Sequence, residues 1–538
     1  MAKWGVLAVL GAAQFLMVLD QAVMNVAISQ LVEDFDTTVT TIQMVIALYA
    51  LVMAGLMLTG GKLGDIIGRR RAFAIGLVIY GAGSALTAAS WSVPSLTFGW
   101  SILEGIGAAL VLPAMFALVA GNFKGADRAL AYGVLGGVAG AGIAVGPILG
   151  GWATTELTWR VVFIGEVVVA IGILIGLRLI KEPERTGKRP SMDWVGAVLS
   201  ALGLGLFVFG VIQASNWGWL HPKDSPLEPF GFSLTPFVIA AGALVLGLFR
   251  SWERRREEGG QEPLVHFRLL GIPRLRGGVS MLLAQNLVLM GIFFTVPLFL
   301  QVVQGLDALE TGVRMLPASV GLFVAALAGS ALAKRFPAKP LVRVGLAIVF
   351  VATLLLLDTV EPELDNASFL VAMGVLGVGM GLVVSQLGNV VQSAVGDADR
   401  SEAGGIQTTA QQLGSSLGTA LLGAIVITGL ITAFTGNVAD NPKIAADVRQ
   451  QVDVQLSAGA SFVTADQVEA TAREAGIDEA TTAELVGDYE SAQVTALKTA
   501  FLVAALLVLA SFFATRNLPS RRFDELGGED ERAPPAPA

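Results

Sequence analysis

Three carboxylates are the side chains best placed to do chemistry. Asp20, Glu104 and Glu166 fall well inside long apolar runs of the 538-residue sequence, and no lysine or arginine accompanies them there. A charge in the middle of a bilayer is expensive, so each must hold a proton or face a cation. Counted from one end of their runs, they lie roughly 11, 8 and 6 residues deep. At about 1.5 Å per helical residue, that sets them within about one and a half turns of each other in depth. Other chemistries lack their residues. Cysteine is absent, which removes disulfides and thiolate nucleophiles or ligands. His221 and His266 both lie between apolar runs, so no histidine metal centre or intramembrane imidazole relay is expected. Neither a nucleophile–base pair nor a Gly-x-x-x-x-Gly-Lys-Ser/Thr loop occurs. No enzyme activity, cofactor, metal or nucleic-acid partner is expected, and the chain reads as a monomer.

The elements that hold these carboxylates are membrane spans. Hydrophobic residues make up 54% of the sequence and charged ones 14%, well below the quarter usual in soluble domains. Runs long enough to cross the hydrocarbon recur at 4–31, 40–61, 72–91, 96–121, 129–152, 160–178, 194–213, 232–249, 277–304, 314–333, 343–358, 367–394, 403–434 and 496–515. They are numbered spans 1 to 14. Continuous apolar runs, rather than alternating ones, predict helices, because lipid offers the backbone no hydrogen bonds. The run after Lys3 is too long for a signal-peptide core and reads as the first span.

Basic residues orient the chain. With the N-terminus in the cytoplasm, inner segments hold 28 of the 35 lysines and arginines. The expected location is the cell (inner) membrane, multi-pass, with both termini cytoplasmic. One outer segment is different: 435–494 holds eleven acidic and three basic residues, a net −8 that equals the charge of the whole chain. Thr464 with Gln467 forms a candidate capping box there, Gly476 a helix end, and Asp478 the start of a helix running into span 14. It is expected to be a solvated helical cap. The tail 517–538, charged and then rich in proline and alanine, is expected to be disordered.

Four motifs stand on this frame. Gly61-Lys62-Leu63-Gly64-Asp65-Ile66-Ile67-Gly68-Arg69-Arg70-Arg71 follows span 2; its glycines let helix ends approach, and Asp65 can meet a helix N-terminus or an arginine. A weaker echo, Leu332-Ala333-Lys334-Arg335-Phe336-Pro337-Ala338-Lys339, follows span 10. Leu19-Asp20-Gln21-Ala22-Val23-Met24-Asn25-Val26-Ala27 lies in span 1. Span 5 carries Gly136, Gly140, Gly146, Pro147, Gly150 and Gly151, a spacing that suits close helix crossing with a kink. Span 9 carries Pro297-Leu298-Phe299-Leu300-Gln301, and Gln285, Asn286 and Gln301, with Asn25, are candidates to line a polar cavity or to join helices.

These motifs resemble the major facilitator superfamily, specifically its fourteen-span drug:proton antiporters. The resemblance runs nearly end to end, apart from the outer segment and the tail. It implies an all-α polytopic fold of two six-helix bundles plus two extra central spans. The expected division is 1–180 for the N-terminal bundle, 181–276 for the linker and extra spans, and 277–516 for the C-terminal bundle with its outer insertion. It also implies a cytoplasmic gate at Gly61, Gly64, Asp65, Gly68, Arg69 and Arg70, and an antiporter signature in span 5. The family's fourth-span Arg-x-x-Gln-Gly reads Ser101-Ile102-Leu103-Glu104-Gly105 here, without the arginine. Glu166 and Val168 replace the usual Asn and Pro after Trp159-Arg160, and Gln411 stands where span 13 often has an arginine.

The function this implies is proton-coupled export of amphipathic, cationic or neutral small molecules, of the multidrug-efflux and antibiotic-resistance type. A dedicated exporter of one metabolite or lipid is the alternative, and a non-transporting sensor or scaffold a remote one. Asp20 is the first candidate for the proton carrier and Glu104 the second. Glu166 is third, because the sixth span of such a bundle is usually peripheral.

Overall fold

The computed structural model describes residues 2–521 apart from 38, 124, 183–190, 223–224, 363, 397–398, 447, 451 and 453–462. Among the described residues the regular secondary structure is all helical, with no strand, and 14 helices are long and apolar enough to cross a membrane. The tail beyond 521, expected to be disordered, lies outside the described residues.

Span 1 is the helix Ala2–Val26, followed after a break at Ala27 by Ile28–Asp34. Spans 2 and 3 are Val39–Ile67 and Arg69–Ala88. Span 4 begins as Val93–Leu96, continues as a π-helix over Thr97–Glu104 and ends as Gly105–Asn122. Spans 5 to 8 are Gly125–Glu156, Arg160–Gly176, Trp194–Trp217 and Thr235–Glu258. Span 9 is Pro273–Leu298 with a π turn at Phe299–Val303. Spans 10 to 14 are Ala308–Leu332, Ala338–Asp358, Asn366–Ser393, Arg400–Asp440 and Glu479–Ala514.

Several helices outrun their apolar windows. Span 2 continues through Gly61–Ile67, so most of the glycine-rich motif is helix, and only Gly68, at φ +102°, makes the turn into span 3. The helix of span 14 starts at Glu479, well before its apolar window at 496 and where the sequence placed a helix start, with Asp478 accepting from the N–H groups of Ala480 and Thr481. A window of hydropathy marks where lipid touches a helix. It does not mark where the backbone stops being helical.

The buried side chains form three cores. One gathers residues from Val6 to Ile180 and belongs to spans 1–6. The second runs from Ala197 to Leu518 and includes spans 9–14. Span 7 leans on span 2, where a Cβ on Gly55 would meet the Ala201 carbonyl at 3.2 Å, and span 8 packs behind it. The third core, Leu430, Phe434, Val438, Ile444, Ala472, Leu485, Tyr489, Ala492 and Ala496, joins segment 435–494 to the adjoining ends of spans 13 and 14. There the helix Ala465–Glu474 starts from the Thr464–Gln467 capping box and ends before Gly476, at φ +77°. The described residues of 435–494 therefore pack as a helical cap on the extended ends of spans 13 and 14.

The two large cores meet toward the face that carries the loop after span 2, called here the basic face. In the basic-face half of span 5, Cβ atoms on Gly136, Gly137 and Gly140 would strike Val384, Phe323 and Leu322 of spans 12 and 10. Arg128 donates to the Asn389 side chain at 3.1 Å, and Arg400 to the Ala120 carbonyl at 3.4 Å. The two halves also share one construction. Helix starts after spans 2 and 10 are met by the chain leaving spans 6 and 14: Glu182 accepts from Arg69 and Arg70, and the Pro519 carbonyl accepts from Lys339.

Candidate functional site

Asp20, Glu104 and Glu166 come together. One carboxylate oxygen from each lies within 4.8 Å of the other two, and all three side chains are buried. Spans 1, 4 and 6 supply the carboxylates, and spans 2 and 3 supply the walls. The Trp100 indole N–H donates to Asp20 Oδ1 at 2.7 Å. Thr87 donates to Glu104 Oε1 at 3.0 Å, and Tyr80 and Ser84 each donate to Glu166 Oε2 at 3.2 Å. Tyr49 stacks on Trp100 with ring centroids 4.4 Å apart. The second oxygen of each acid (Asp20 Oδ2, Glu104 Oε2, Glu166 Oε1) has no protein partner.

Local sequence explains why these groups converge. The π-helix over Thr97–Glu104 widens the turn and aims Trp100 and Glu104 into the bundle; such π segments recur at functional sites. Ser101, where the arginine would stand, donates to the Val45 carbonyl at 2.7 Å and so fastens span 4 to span 2. Gly83 leaves room for Glu104, because a Cβ there would sit 2.6 Å from its Cγ. Each pair of unit charges at the observed separation would repel by about 3 kcal/mol even at an effective dielectric of about 20. With no cation among them, the three acids are suited to holding exchangeable protons.

The motif after span 2 forms a second cluster. Asp65 pairs with Arg69 one turn on, at 3.5 Å. The helix N-terminus that follows Gly68 is met by Glu182, whose two oxygens accept from the Arg69 and Arg70 N–H groups at 2.8 and 2.9 Å. A carboxylate is favoured at a helix start by the unpaired N–H groups there. Lys62 reaches Glu262, in the connector after span 8, at 3.6 Å. That connector is also held to span 13, because Glu402 accepts from the His266 backbone N–H and pairs with its Nδ1 at 2.9 Å.

A family model described as the Major Facilitator Superfamily matches residues 10–419. The chain belongs to this superfamily. A "probable actinorhodin transporter" of Streptomyces coelicolor is 31% identical over 482 residues, 88% of this chain and 79% of that one. The "puromycin resistance protein pur8" of Streptomyces alboniger is 32% identical over 83% of this chain and 86% of its own. The "multidrug efflux pump LfrA" of Mycolicibacterium smegmatis is 29% identical over 94% of each. Among solved structures, the human organic anion transporter MFSD10 superposes with a TM-score of 0.56 at 15% identity, covering 96% of this chain and 98% of its own. The proton:xylose symporter XylE superposes with a TM-score of 0.55 at 14% identity, covering 97% and 98%. At those identities the likeness is one of fold.

In this superfamily member the span 5 glycines divide by direction. Gly136 and Gly140 face the opposite half, whereas Cβ atoms on Gly146 and Gly150 would meet Ala22 at 2.2 Å and Val23 at 3.2 Å, just past Asp20 on span 1. Gly151 and Gly150 both offer carbonyls to the Thr154 hydroxyl. The Pro147 and Asn25 side chains lie outside the described residues. Gln285 is buried, Asn286 donates to the Leu282 carbonyl of its own helix, and Gln301 is exposed in the π turn of span 9. Besides Arg128 and Asn389, other polar residues approach one another between the halves: the Gln21 and Gln412 amides both point at the Met53 sulfur, at 3.8 and 4.0 Å. Sequence reasoning missed Trp100, Tyr49, Tyr80, Ser84, Thr87, Gly83 and Glu182. The tryptophan and two tyrosines in spans 2–4 carried a usable signal, since a buried indole or phenol needs a polar partner.

Proposed function

We propose that this chain is an exporter that moves small amphipathic molecules out of the cell in exchange for protons, by alternating access between the two halves. The observation that carries this reading is the enclosed group of three carboxylates, which no lysine or arginine among the described residues neutralises. The relatives support the efflux part, being named for antibiotic transport, resistance and multidrug efflux. In the proposed cycle the acids load protons while the site communicates with the outside. They surrender them after the halves rock and the site communicates with the cytoplasm. Asp20, Glu104 and Glu166 act as one proton-holding unit rather than as a ranked series. Asp65, Arg69 and Glu182 form a gate on the basic face, taken to be cytoplasmic together with both termini. Exchange of one proton for a monovalent cation is electroneutral; with a neutral substrate, the net charge moved is worth about 2.3 kcal/mol per 100 mV.

The test is substrate-induced proton release from proteoliposomes, with Asp20→Asn, Glu104→Gln and Glu166→Gln. Loss of export driven by a pH gradient, with equilibrium exchange of substrate retained, is the expected result. Normal uphill export by the triple variant would remove the carboxylates from the mechanism. A tag inserted after Gly476 should be reachable from outside intact cells, and one at the N-terminus should not. Dedication to a single metabolite is the second reading, favoured by relatives named for one compound, such as the cephamycin export protein CmcT of Amycolatopsis lactamdurans, and by the folded outer cap. A panel of unrelated compounds separates the two.

A further inference from the structure

The carboxylate group is closed off, so protons need a way in. Asp20 and Glu104 are 0% exposed and Glu166 is 2% exposed. Most residues around them are committed. Trp100, Thr87, Tyr80 and Ser84 each donate to a carboxylate. Tyr49 differs: its buried hydroxyl has no partner at full hydrogen-bond geometry, although Asp20 and Gln21 lie close enough to share one. A buried hydroxyl without a well-formed hydrogen bond is costly, so the group calls for an explanation.

Its position supplies one. Asp20 and Glu104 act on the Tyr49 hydroxyl through their charges, and Asp20 and Gln21 are within hydrogen-bonding reach of it. The two acids belong to the closed group. Gln21 belongs to the surface between the halves, where its amide and that of Gln412 from span 13 converge on Met53. Met53 lies one turn from Tyr49 on span 2, and side chains four residues apart share a helix face. Tyr49 therefore stands in the wall between the inter-half surface and the acids, with a polar group on either side. Its ring is held by the stack on Trp100, interplanar angle 12°, and that indole is itself tied to Asp20. The ring is fixed while the hydroxyl remains free to turn.

We propose that Tyr49 is the proton-relaying residue that connects the space between the halves to the three-carboxylate group; this rests on the proton-exchange reading above. In the inward hop, the phenol oxygen accepts a proton from a hydronium ion on the Gln21 side, leaving a neutral water there, as its own O–H proton passes to the Asp20 or Glu104 carboxylate. One O–H bond forms on the phenol as another breaks, so the phenol is regenerated and no oxidant or co-reactant is needed. The reverse sequence releases the proton. Gln21 is a positioning residue in this scheme, orienting the water rather than carrying the proton.

Tyr49→Phe is the decisive variant, because it keeps the ring, the volume and the stack and deletes the oxygen alone. Three rates are measured in proteoliposomes: export under an imposed pH gradient, equilibrium exchange of substrate, and substrate-induced proton release followed by a pH dye. The expected result is at least a tenfold loss in the first and third, with exchange within about twofold of the parent. Proton release should also lose its dependence on pH across the working range. A merely structural role would lower all three together and shift the melting temperature. Tyr49→His, which restores a side chain able to relay a proton, should recover part of the driven rate. If Tyr49→Phe drives export at the parental rate while the carboxylate variants do not, the relay is wrong and the exchange reading stands. If the carboxylate variants also drive export normally, both fall.

Discussion

The Trp100 indole donates to Asp20 Oδ1 at 2.7 Å, joining span 4 to span 1 in a position that no cation occupies. The fourth-span arginine expected from the resemblance is replaced by Ser101, and the residue before it supplies a neutral donor instead. A neutral donor steadies a carboxylate without cancelling its charge, so the group still needs its protons. Trp100→Phe keeps the ring stacked on Tyr49 and removes this donor alone. A hydrogen bond to a charged group contributes about 1.5–3 kcal/mol, and a tenth of the rate corresponds to about 1.4 kcal/mol. Export driven by a pH gradient should fall about tenfold with insertion unchanged. A parental rate would mean that Asp20 needs no donor to do its work.

The Glu182 cap separates two roles that the motif after span 2 seemed to combine. Asp65, near the end of span 2, pairs with Arg69 across the Gly68 turn, while Glu182 meets the start of span 3 itself. Loss of a capping side chain costs about 0.5–2 kcal/mol. Glu182→Ala is therefore expected to lower the melting temperature measured in detergent, and Asp65→Asn to slow transport with little change in melting. Equal effects of both on melting would make Asp65 a structural residue.

The glycines of span 5 allow a directional comparison. A methyl at position 140 meets the far end of Leu322 at 2.4 Å, across the contact between the halves, and that side chain can turn away. A methyl at 146 meets Ala22 Cβ at 2.2 Å inside the first bundle, where only the backbone can give. Overpacking of this kind costs about 1–3 kcal/mol. Gly146→Ala should lower thermal stability by that order. Gly140→Ala should leave stability nearly unchanged and alter the export rate, because it loosens the closed arrangement of the basic face. Melting curves and export rates on the same preparations check both.

How much of this was legible in the sequence depends on what each residue talks to. The fourteen spans were legible, because the bilayer imposes a length and a composition on every one of them. The capping box at Thr464–Gln467 and the stop at Gly476 were legible, because those signals are local. Asp20, Glu104 and Glu166 stood out as costly residues, but their meeting did not. Similar depth in three helices says nothing about the direction each faces, and the sixth span was expected to be peripheral. Glu166 turns inward because Tyr80 and Ser84 of span 3 receive it. Glu182 was invisible for a related reason: its partners are backbone N–H groups more than a hundred residues away. Gln285, Asn286 and Gln301 stand out as polar residues in an apolar run, yet the amides placed between the halves include Gln21, Asn389 and Gln412.

The connector after span 8 supplies a prediction in pH. His266 lies outside the spans, its ring Nδ1 is 2.9 Å from Glu402, and that hydrogen bond raises its pKa above the ordinary 6.5. Burial, Lys62 and Arg268 oppose the rise, and Glu262 lies 3.9 Å from Nε2. Because the folded pKa is the higher one, the folded state binds the proton more tightly than the unfolded state does. The contribution of this pair is therefore complete below about pH 6.5 and is lost as the pH climbs through the folded value. His266→Gln keeps a hydrogen-bonding side chain but cannot take the charge. The melting temperature of the parent protein should exceed that of His266→Gln most near pH 6, and the gap should narrow steadily above neutrality. Glu402→Gln should flatten the parental pH dependence in the same range. A gap that is constant from pH 6 to pH 9 would show that the pair contributes packing alone, and that the imidazole beside Glu402 stays neutral throughout.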